Sequence, residues 1–318
     1  MRMAMFPALV ALVVAALASI GLSHAQTPAE FFRGKTISLE ISSSVGGGYD
    51  IHGRLLARHM PKYIPGNPVI LPKNVEGAGG LRMANLLYNA APRDGTVFGV
   101  VYRSTAFEPL FGNKAAQFDA TKLTWIGSAS NEVSVCVAWH TTGVTTIEDL
   151  HTKELLVATT GPGADTYQFT NIINGVFGTK MKRIGGYPGG NEMVLAMERG
   201  EVGGRCGWSW SSLKSTRMNW LTEKKMTVFL QMALTRHPDL AGVPLILDLA
   251  KTDEQREIVK LVFARQVVAW PYVAPPGVPP DRTAALRKAF LQTMQDKEFL
   301  AEAGKAKLEI MPVAGEDI

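Results

Sequence analysis

The chain has 318 residues, 46% of them hydrophobic and 19% charged, with a formal net charge of +5. That apolar content excludes a disordered tail protein, and 31 Gly with 18 Pro are too few for a collagen-like or low-complexity chain. The basic residues are interspersed and form no tract, which argues against a nucleic-acid partner. At about 100 to 200 residues per domain, the length suits two ordinary domains.

Residues 1–25 read as a secretory signal peptide. Arg2 supplies a short positive region, Ala8 to Leu22 is almost wholly apolar, and Ser23-His24-Ala25 offers small residues at the positions that flank a cleavage site. Pro7, Ser19 and Ser23 leave an apolar core shorter than the ~20 residues a bilayer span requires, so a cleaved leader is expected in place of an anchor, with the mature chain starting at Gln26. A mature chain of this size buries a sufficient core without a disulfide framework. Cys136 and Cys206 lie in strand-like runs and are either two buried thiols or one bridge; burial is the usual fate of cysteine, which favours thiols.

From Thr36 onward a unit repeats: a short apolar run, a glycine-rich loop, then an amphipathic helix. Thr36 to Ile41 leads through Ser42-Ser43-Ser44-Val45-Gly46-Gly47-Gly48 into a helix with Ile51, Leu55, Leu56 and Met60 on one face. Pro68 to Leu71 leads through Asn74 and Gly77-Ala78-Gly79-Gly80 into a helix that runs until Pro92, and Thr96 to Val101 is the next strand. After Trp125-Ile126-Gly127 the pattern restarts with the strand Val133 to Trp139 and a short helix capped at Thr145 or Thr146. Leu155 to Ala158 then runs into Thr159-Thr160-Gly161-Pro162-Gly163 and a helix from Asp165 to Phe177, and Met181 to Ile184 runs into Tyr187-Pro188-Gly189-Gly190 and a helix ended by Gly200. Val202 to Trp210, Met226 to Met232 and Gln266 to Val273 are further strands, and the tail carries two helices, the first capped by Asp281. Strands alternating with helices predict an α/β fold whose sheets are mainly parallel.

Each half thus presents two glycine loops at helix N-termini. There the first N–H groups lack intrahelical partners and the peptide dipoles favour an anion, which glycine lets approach the backbone closely. A nucleotide fingerprint is not met: Ile51, Arg82 and Thr166 occupy the third glycine position of G-x-G-x-x-G, and no loop continues into Gly-Lys-Ser/Thr. His52, His59, His140, His151 and His237 have no zinc-motif spacing, so neither metal nor cofactor is expected. Gly207-Trp208-Ser209-Trp210-Ser211 misses G-x-S-x-G at its fifth position, and no helix clearly follows it; Asp50 reads as an N-cap in preference to a general base. Arg103 and Arg205 are each either a carboxylate-binding guanidinium, one half of an internal salt bridge or a surface arginine.

Val45-Gly46-Gly47-Gly48-Tyr49-Asp50 with Arg54-Leu55-Leu56-Ala57, Asn74 with Gly77-Ala78-Gly79-Gly80, Ala91-Pro92-Arg93-Asp94-Gly95-Thr96, Tyr187-Pro188-Gly189-Gly190 and Ala274-Pro275-Pro276-Gly277-Val278-Pro279 together resemble the tripartite tricarboxylate transporter substrate-binding receptors, the TctC or Bug-type periplasmic proteins. The resemblance covers essentially the whole mature chain. It implies a two-lobed clamshell of the type II periplasmic-binding-protein kind, with lobe 1 formed by residues 26–126 and 235–318 and lobe 2 by residues 127–234. It further implies a monomer in the periplasm that encloses a small organic acid, performs no chemistry, and delivers its ligand to integral membrane subunits of a transporter. Bending is expected at Trp125 to Gly127 and Met232 to Thr235.

Carried onto this chain, the resemblance implies ligand contacts from Ser43, Ser44, Gly47 and Gly48, from Ala78 and Gly79, and from Ser104 and Thr105, with Arg103 beside them. The other lobe would supply Thr159, Thr160, Gly161, Asp165, Thr166, Tyr187, Gly189, Gly190 and Arg205. Two departures stand out: Ser43-Ser44-Val45 replaces the aromatic and proline that many relatives carry, and Gly207 takes the place of an aspartate. A sensor-kinase partner and, more remotely, a secreted hydrolase using Ser209 or Asp50 are the alternative readings.

Overall fold

The computed structural model describes residues 26–318; the leader expected over residues 1–25 lies outside the described residues. In chain order, α1 (Pro28–Phe32), β1 (Thr36–Ile41), α2 (Gly48–His59), β2 (Val69–Asn74), α3 (Leu81–Asn89), β3 (Val97–Val100) and β4 (Thr124–Ser128) open the fold. Then come β5 (Ser134–Trp139), β6 (Leu155–Ala158), α4 (Asp165–Phe177), β7 (Met181–Ile184), α5 (Gly190–Glu198), β8 (Gly204–Ser209), α6 (Trp210–Thr222) and β9 (Met226–Met232). The chain closes with α7 (Asp253–Phe263), β10 (Pro271–Ala274), α8 (Pro280–Met294), α9 (Lys297–Lys305) and β11 (Val313–Ala314).

The strands form two sheets, of order β11-β4-β10-β3-β1-β2 and β7-β6-β8-β5-β9. Both are mixed, which corrects the expectation of mainly parallel sheets. β1 pairs parallel with β2 and β3, and β6 parallel with β7 and β8, as glycine-loop crossovers demand. The strands next to the crossings between lobes, β4 and β10 in one sheet and β5 and β9 in the other, run antiparallel to their neighbours. Helices cover the sheets: Leu55 and Leu56 of α2, Leu286 and Phe290 of α8 and Phe299 of α9 pack on Ile37, Leu39, Phe98 and Tyr272 in one core. Phe169 and Ile173 of α4 pack on Val157, Cys206 and Phe229 in another.

Four local expectations are revised. A helix, α6, does follow Gly207-Trp208-Ser209, because Trp210 and Leu213 bury one face against the second sheet. Asp281 lies inside α8, whose N-cap is Pro279. Ile246, Val259, Val262 and Phe263 pack in the core of the second sheet, so the chain does not return to the first at Met232 to Thr235. Trp125 to Gly127 likewise belong to β4, and the two crossings run side by side over residues 129–133 and 266–270. There the Ala129, Ala269 and Glu132 N–H groups donate to the carbonyls of Trp270, Ser130 and Gln266 at 3.2, 3.0 and 2.9 Å.

Finally, Cys136 and Cys206 are bridged, contrary to the thiol expectation. They lie on adjacent antiparallel strands, and a register shift between Val135 and Val137 brings their Cα atoms to 4.0 Å, a pairing that no spacing in the sequence announces. Among the described residues no helix is long and apolar enough to cross a membrane.

Candidate functional site

The first glycine loop is tied down from within its own helix. Asp50, in the first turn of α2, accepts from the Gly46 N–H at 2.8 Å and from Arg54 Nε and Asn74 Nδ2 at 2.8 Å, while Asn74 Nδ2 also donates to the Ser43 carbonyl at 2.7 Å. Asp50 is therefore a loop tie; the N-cap expected there is Gly47. The loop then meets the other lobe: Ser44 Oγ donates to Glu192 at 2.7 Å, and Asn191 Nδ2 donates to the Val45 carbonyl at 2.9 Å. The second loop, together with Ser104 from the turn after β3, does the same against the third. Ser104 Oγ donates to the Gly163 carbonyl at 2.5 Å, and Gly79, at φ +63°, lies so close to that loop that a Cβ would fall 2.8–2.9 Å from Ala164 N, Gly161 O and Gly163 N. The four loops thus close in two pairs across the interface between the sheets.

Behind them lies a small cavity of about 50 Å³, well below the room of an open ligand site, as the contacts between the loops leave it. Three helix N-termini open onto it: Gly48 of α2, Asp165 and Thr166 of α4, and Ser209 with Ser212 at the start of α6. The N-caps of α2 and α4 make no side-chain cap hydrogen bond, which favours an anion, whereas the first N–H groups of α6 are taken: Trp210 donates to the Val133 carbonyl at 2.8 Å and Ser211 to Glu132 at 3.3 Å. Gly207, at φ +75°, also lines it; a Cβ there would stand 2.9 Å from Thr166 N, so glycine lets β8 touch the start of α4.

Two arginines reach the cavity with different fates. Arg103, 3% exposed, is spent on the protein: Nε lies 2.9 Å from Asp165 Oδ2, its backbone N–H donates to the Tyr49 hydroxyl at 3.1 Å, and its two terminal nitrogens donate to Gln266 and Ser209. Burial works against its charge, but Tyr49, Asp165 and Glu132 outweigh it and raise its pKa. Arg205, 9% exposed, has no acidic partner among the described residues. Its Nε is buried without a hydrogen bond, and Nη1 reaches only the Gly190 carbonyl at 3.5 Å while the head stacks 4.7 Å from the Trp208 ring. Burial pushes its pKa down to about 9, which leaves it protonated at neutral pH. A buried, charged guanidinium with an empty donor is costly until an anion meets it.

Aromatic rings form the remaining wall. Tyr49 lies 4.6 Å from Tyr102 and 4.8 Å from Trp270 between ring centroids, and Trp270 stacks on His52 at 4.0 Å. Burial and the nearby Arg103 push His52 down to about 3, so it is a neutral ring below the floor of the site.

Of the residues expected from sequence, Gly48, Arg103, Thr160, Asp165, Thr166 and Arg205 line the cavity. Ser43, Ser44, Gly47, Ala78, Gly79, Ser104, Gly161, Gly189 and Gly190 lie in or beside the loop-to-loop contacts. Thr105 is buried in a 3-10 turn, Thr159 hydrogen-bonds the Ile184 carbonyl, and Tyr187 packs beside Met193 and Val194. Sequence reasoning missed Tyr49, Tyr102, Ala164, Met193, Gly207, Trp208, Ser209, Ser212 and Trp270 as lining residues. Tyr49 was within reach, since it follows Gly48 directly; Trp270 arrives from a distant strand and carried no motif.

Ser209 Oγ accepts from Arg103, so a cation stands where a nucleophile needs its base. Two histidine–carboxylate groups, His59/Asp296/Glu298 and His237/Asp239/Glu309, are each threaded by a lysine: Lys62 lies 2.7 Å from Asp296 and Lys214 lies 2.6 Å from Glu309. The ammonium takes the place that a cation would.

No family model matches the chain. A curated relative, "UPF0065 protein in gbd 5'region" of Cupriavidus necator, is 38% identical over 96 residues, spanning 29% of this chain and 29% of that protein. Among solved structures, the periplasmic binding protein BugD superposes with TM-score 0.71 at 17% identity, covering 87% of this chain and 88% of its own. MatC from Rhodopseudomonas palustris with bound malate superposes with TM-score 0.69 at 19% identity, covering 86% and 89%. The chain has the two-lobed α/β fold of the Bug- and TctC-type periplasmic binding proteins, the fold that the glycine motifs led us to expect.

Proposed function

We propose that the chain is a periplasmic solute-binding protein of the Bug/TctC family, which captures a small organic carboxylate and presents it to integral membrane subunits of a tripartite transporter. The observation that carries this reading is Arg205: a buried guanidinium without an acidic partner, in a cavity where three helices point their N-termini. A carboxylate satisfies both at once, through charge-assisted hydrogen bonds to the guanidinium and to the amides at the starts of α2 and α4. Similarity of fold to BugD and to malate-bound MatC supports it.

Capture proceeds by closure. In this reading lobe 1 comprises residues 26–128 with 271–318, lobe 2 comprises residues 134–265, and the paired crossings at 129–133 and 266–270 bend. The leader delivers the chain to the periplasm, where it acts as a monomer without turnover. A thermal-shift screen over carboxylates tests the assignment, since a ligand that binds only the folded protein raises its melting temperature. Stabilisation by at least one carboxylate and by none of the matching amides is expected; an equal response to acid and amide would remove the anion site.

A further inference from the structure

Cys206 lies between Arg205 and Gly207, two residues that line the cavity, and its sulfur is bonded to Cys136 of the neighbouring strand. We propose that Cys136 and Cys206 are positioning residues of the binding site: their bridge fixes the one strand register in which Arg205 faces the cavity. This rests on the proposed role of Arg205 as the carboxylate's anchor.

β5 and β8 pair with a dislocation. Val135 stands opposite Trp208 and Val137 opposite Arg205, so between these pairs β5 has one residue, Cys136, and β8 has two, Cys206 and Gly207. That is a β-bulge, and Gly207 at φ +75° supplies its left-handed residue. In a regular strand, residues three apart point to opposite faces. Here the extra residue brings Arg205 and Trp208 to the same face: the guanidinium stacks 4.7 Å from the Trp208 ring, and both line the cavity. Val135, Val137 and Trp208 share a core on that face, while Cys136 and Cys206 are buried in the core of the other. β9 shifts at the same level, with Phe229 extra between the Cys136–Leu230 and Val137–Val228 pairs, so the break runs across three strands.

Without the bulge, the register of Trp208 and Ser209 would continue, and Gly207, Cys206 and Arg205 would stand opposite Cys136, Val137 and Ala138. Cys206 would then face away from Cys136, and Arg205 would turn towards the core that holds Ala138, Phe169 and Phe229. The disulfide cannot form in that register. Bridging the sulfurs and presenting Arg205 are therefore one choice. The guanidinium has little else to hold it, since its Nε makes no hydrogen bond and Nη1 reaches only the Gly190 carbonyl at 3.5 Å. Both cysteines are fully buried, so the bridge acts as a fixed brace.

The test is a thermodynamic cycle read by calorimetric titration with acetate, malate and citrate, followed with whichever binds the parent most tightly. Cys136→Ala/Cys206→Ala should weaken that acid about tenfold. In an Arg205→Met background the same two alanines should change its affinity by less than about twofold, because the bridge acts through a side chain that is no longer there. A bridge that only stiffens its lobe would lower affinity equally in both backgrounds; that result, or an unchanged affinity in the alanine variant, overturns the proposal and leaves the carboxylate reading standing. Should the alanine variant fail to fold, the parent and Arg205→Met proteins refolded in excess dithiothreitol, whose dithiol keeps both sulfurs reduced, take its places in the cycle. A crystal structure of the bridge-free protein decides independently: Arg205 away from Trp208 is expected, and an unchanged bulge with the stack in place overturns the proposal. Binding of none of the three acids overturns both readings.

Discussion

Replacing Asp165 by Asn asks what holds the lobes together. Asp165 lies between two buried guanidiniums, Arg103 at 2.9 Å and Arg265 at 3.4 Å, and all three side chains are less than a tenth exposed. Asparagine keeps the shape and one acceptor oxygen but removes the charge, so Arg103 and Arg265 repel across a neutral group. Breaking a buried pair by removing one partner costs about 3–5 kcal/mol. The retained hydrogen bond argues for the lower end. In the proposed open form Arg103 and Asp165 part and meet water, so the cost falls on closure and appears in ligand affinity. At 1.4 kcal/mol per tenfold, about 3 kcal/mol is an apparent Kd weaker by roughly 140-fold. Tryptophan fluorescence titration with the carboxylate that stabilises the parent most would read it, and small-angle scattering would read the larger radius of an open population. A Kd within about threefold of the parent and an unchanged radius would refute the reasoning.

Other groups give independent expectations. His52 is held neutral by burial at a pKa of about 3, below its ordinary 6.5, so its contribution to stability is complete above pH 6.5 and is lost as the pH falls towards 3. That is about 1.4 kcal/mol per pH unit, and His52→Phe, which keeps the stack on Trp270, should flatten this slope in urea melts between pH 6.5 and 4. Glu132 has its pKa raised by burial, so ionising it at neutral pH opposes folding and the cost vanishes below its unfolded pKa. Glu132→Gln should therefore raise the melting temperature at pH 7 and leave it unchanged at pH 4, a difference that calorimetry reads. The Cys136–Cys206 bridge closes a loop with a sequence separation of 70 residues, and the chain-entropy relation gives about 4 kcal/mol for it. A Cys136→Ala/Cys206→Ala variant should lose stability of that order in urea; no loss would mean the bridge does not form. Gly79→Val places branched carbons within a second-loop contact, so it should weaken ligand binding by more than tenfold while lowering the unfolding free energy by only about 1 kcal/mol, the left-handed backbone penalty.

Most of the secondary structure was legible because its signals are local. Leu155–Ala158, Met181–Ile184 and Asp165–Phe177 carry period and punctuation within a few residues, and they fall where expected. The glycine loops were legible as loops for the same reason. What was not legible depends on partners far along the chain. α6 owes its place to Trp210 and Leu213 burying against strands on either side of it in sequence. α7 joins the second core although a proline-containing stretch separates it from β9, so the chain packs with the second sheet well beyond Met232 to Thr235. The bridge between Cys136 and Cys206 needs a register shift that no residue pattern encodes.

The candidate site shows the same division, and it changes what the glycines are for. On the sequence alone, four loops at helix mouths read as a cradle whose backbone touches the ligand. In the fold they mostly touch one another: Gly79 against Gly161, and Ser44 and Val45 against Glu192 and Asn191. Glycine there permits two lobes to approach within backbone contact, which a Cβ at Gly79 would forbid. The cradle lies one layer deeper, on the helix starts and on the side chains of β8 and its neighbours. Arg103 and Arg205 were indistinguishable as residue types, each able to hold a ligand or an internal acid. Their surroundings separate them: an aspartate from the opposite lobe claims the first, and burial without any acid leaves the second for something that must come from outside. Closure and capture therefore use different arginines, so Asp165→Asn should weaken every ligand alike, whereas Arg205→Met should weaken anions and spare neutral ones.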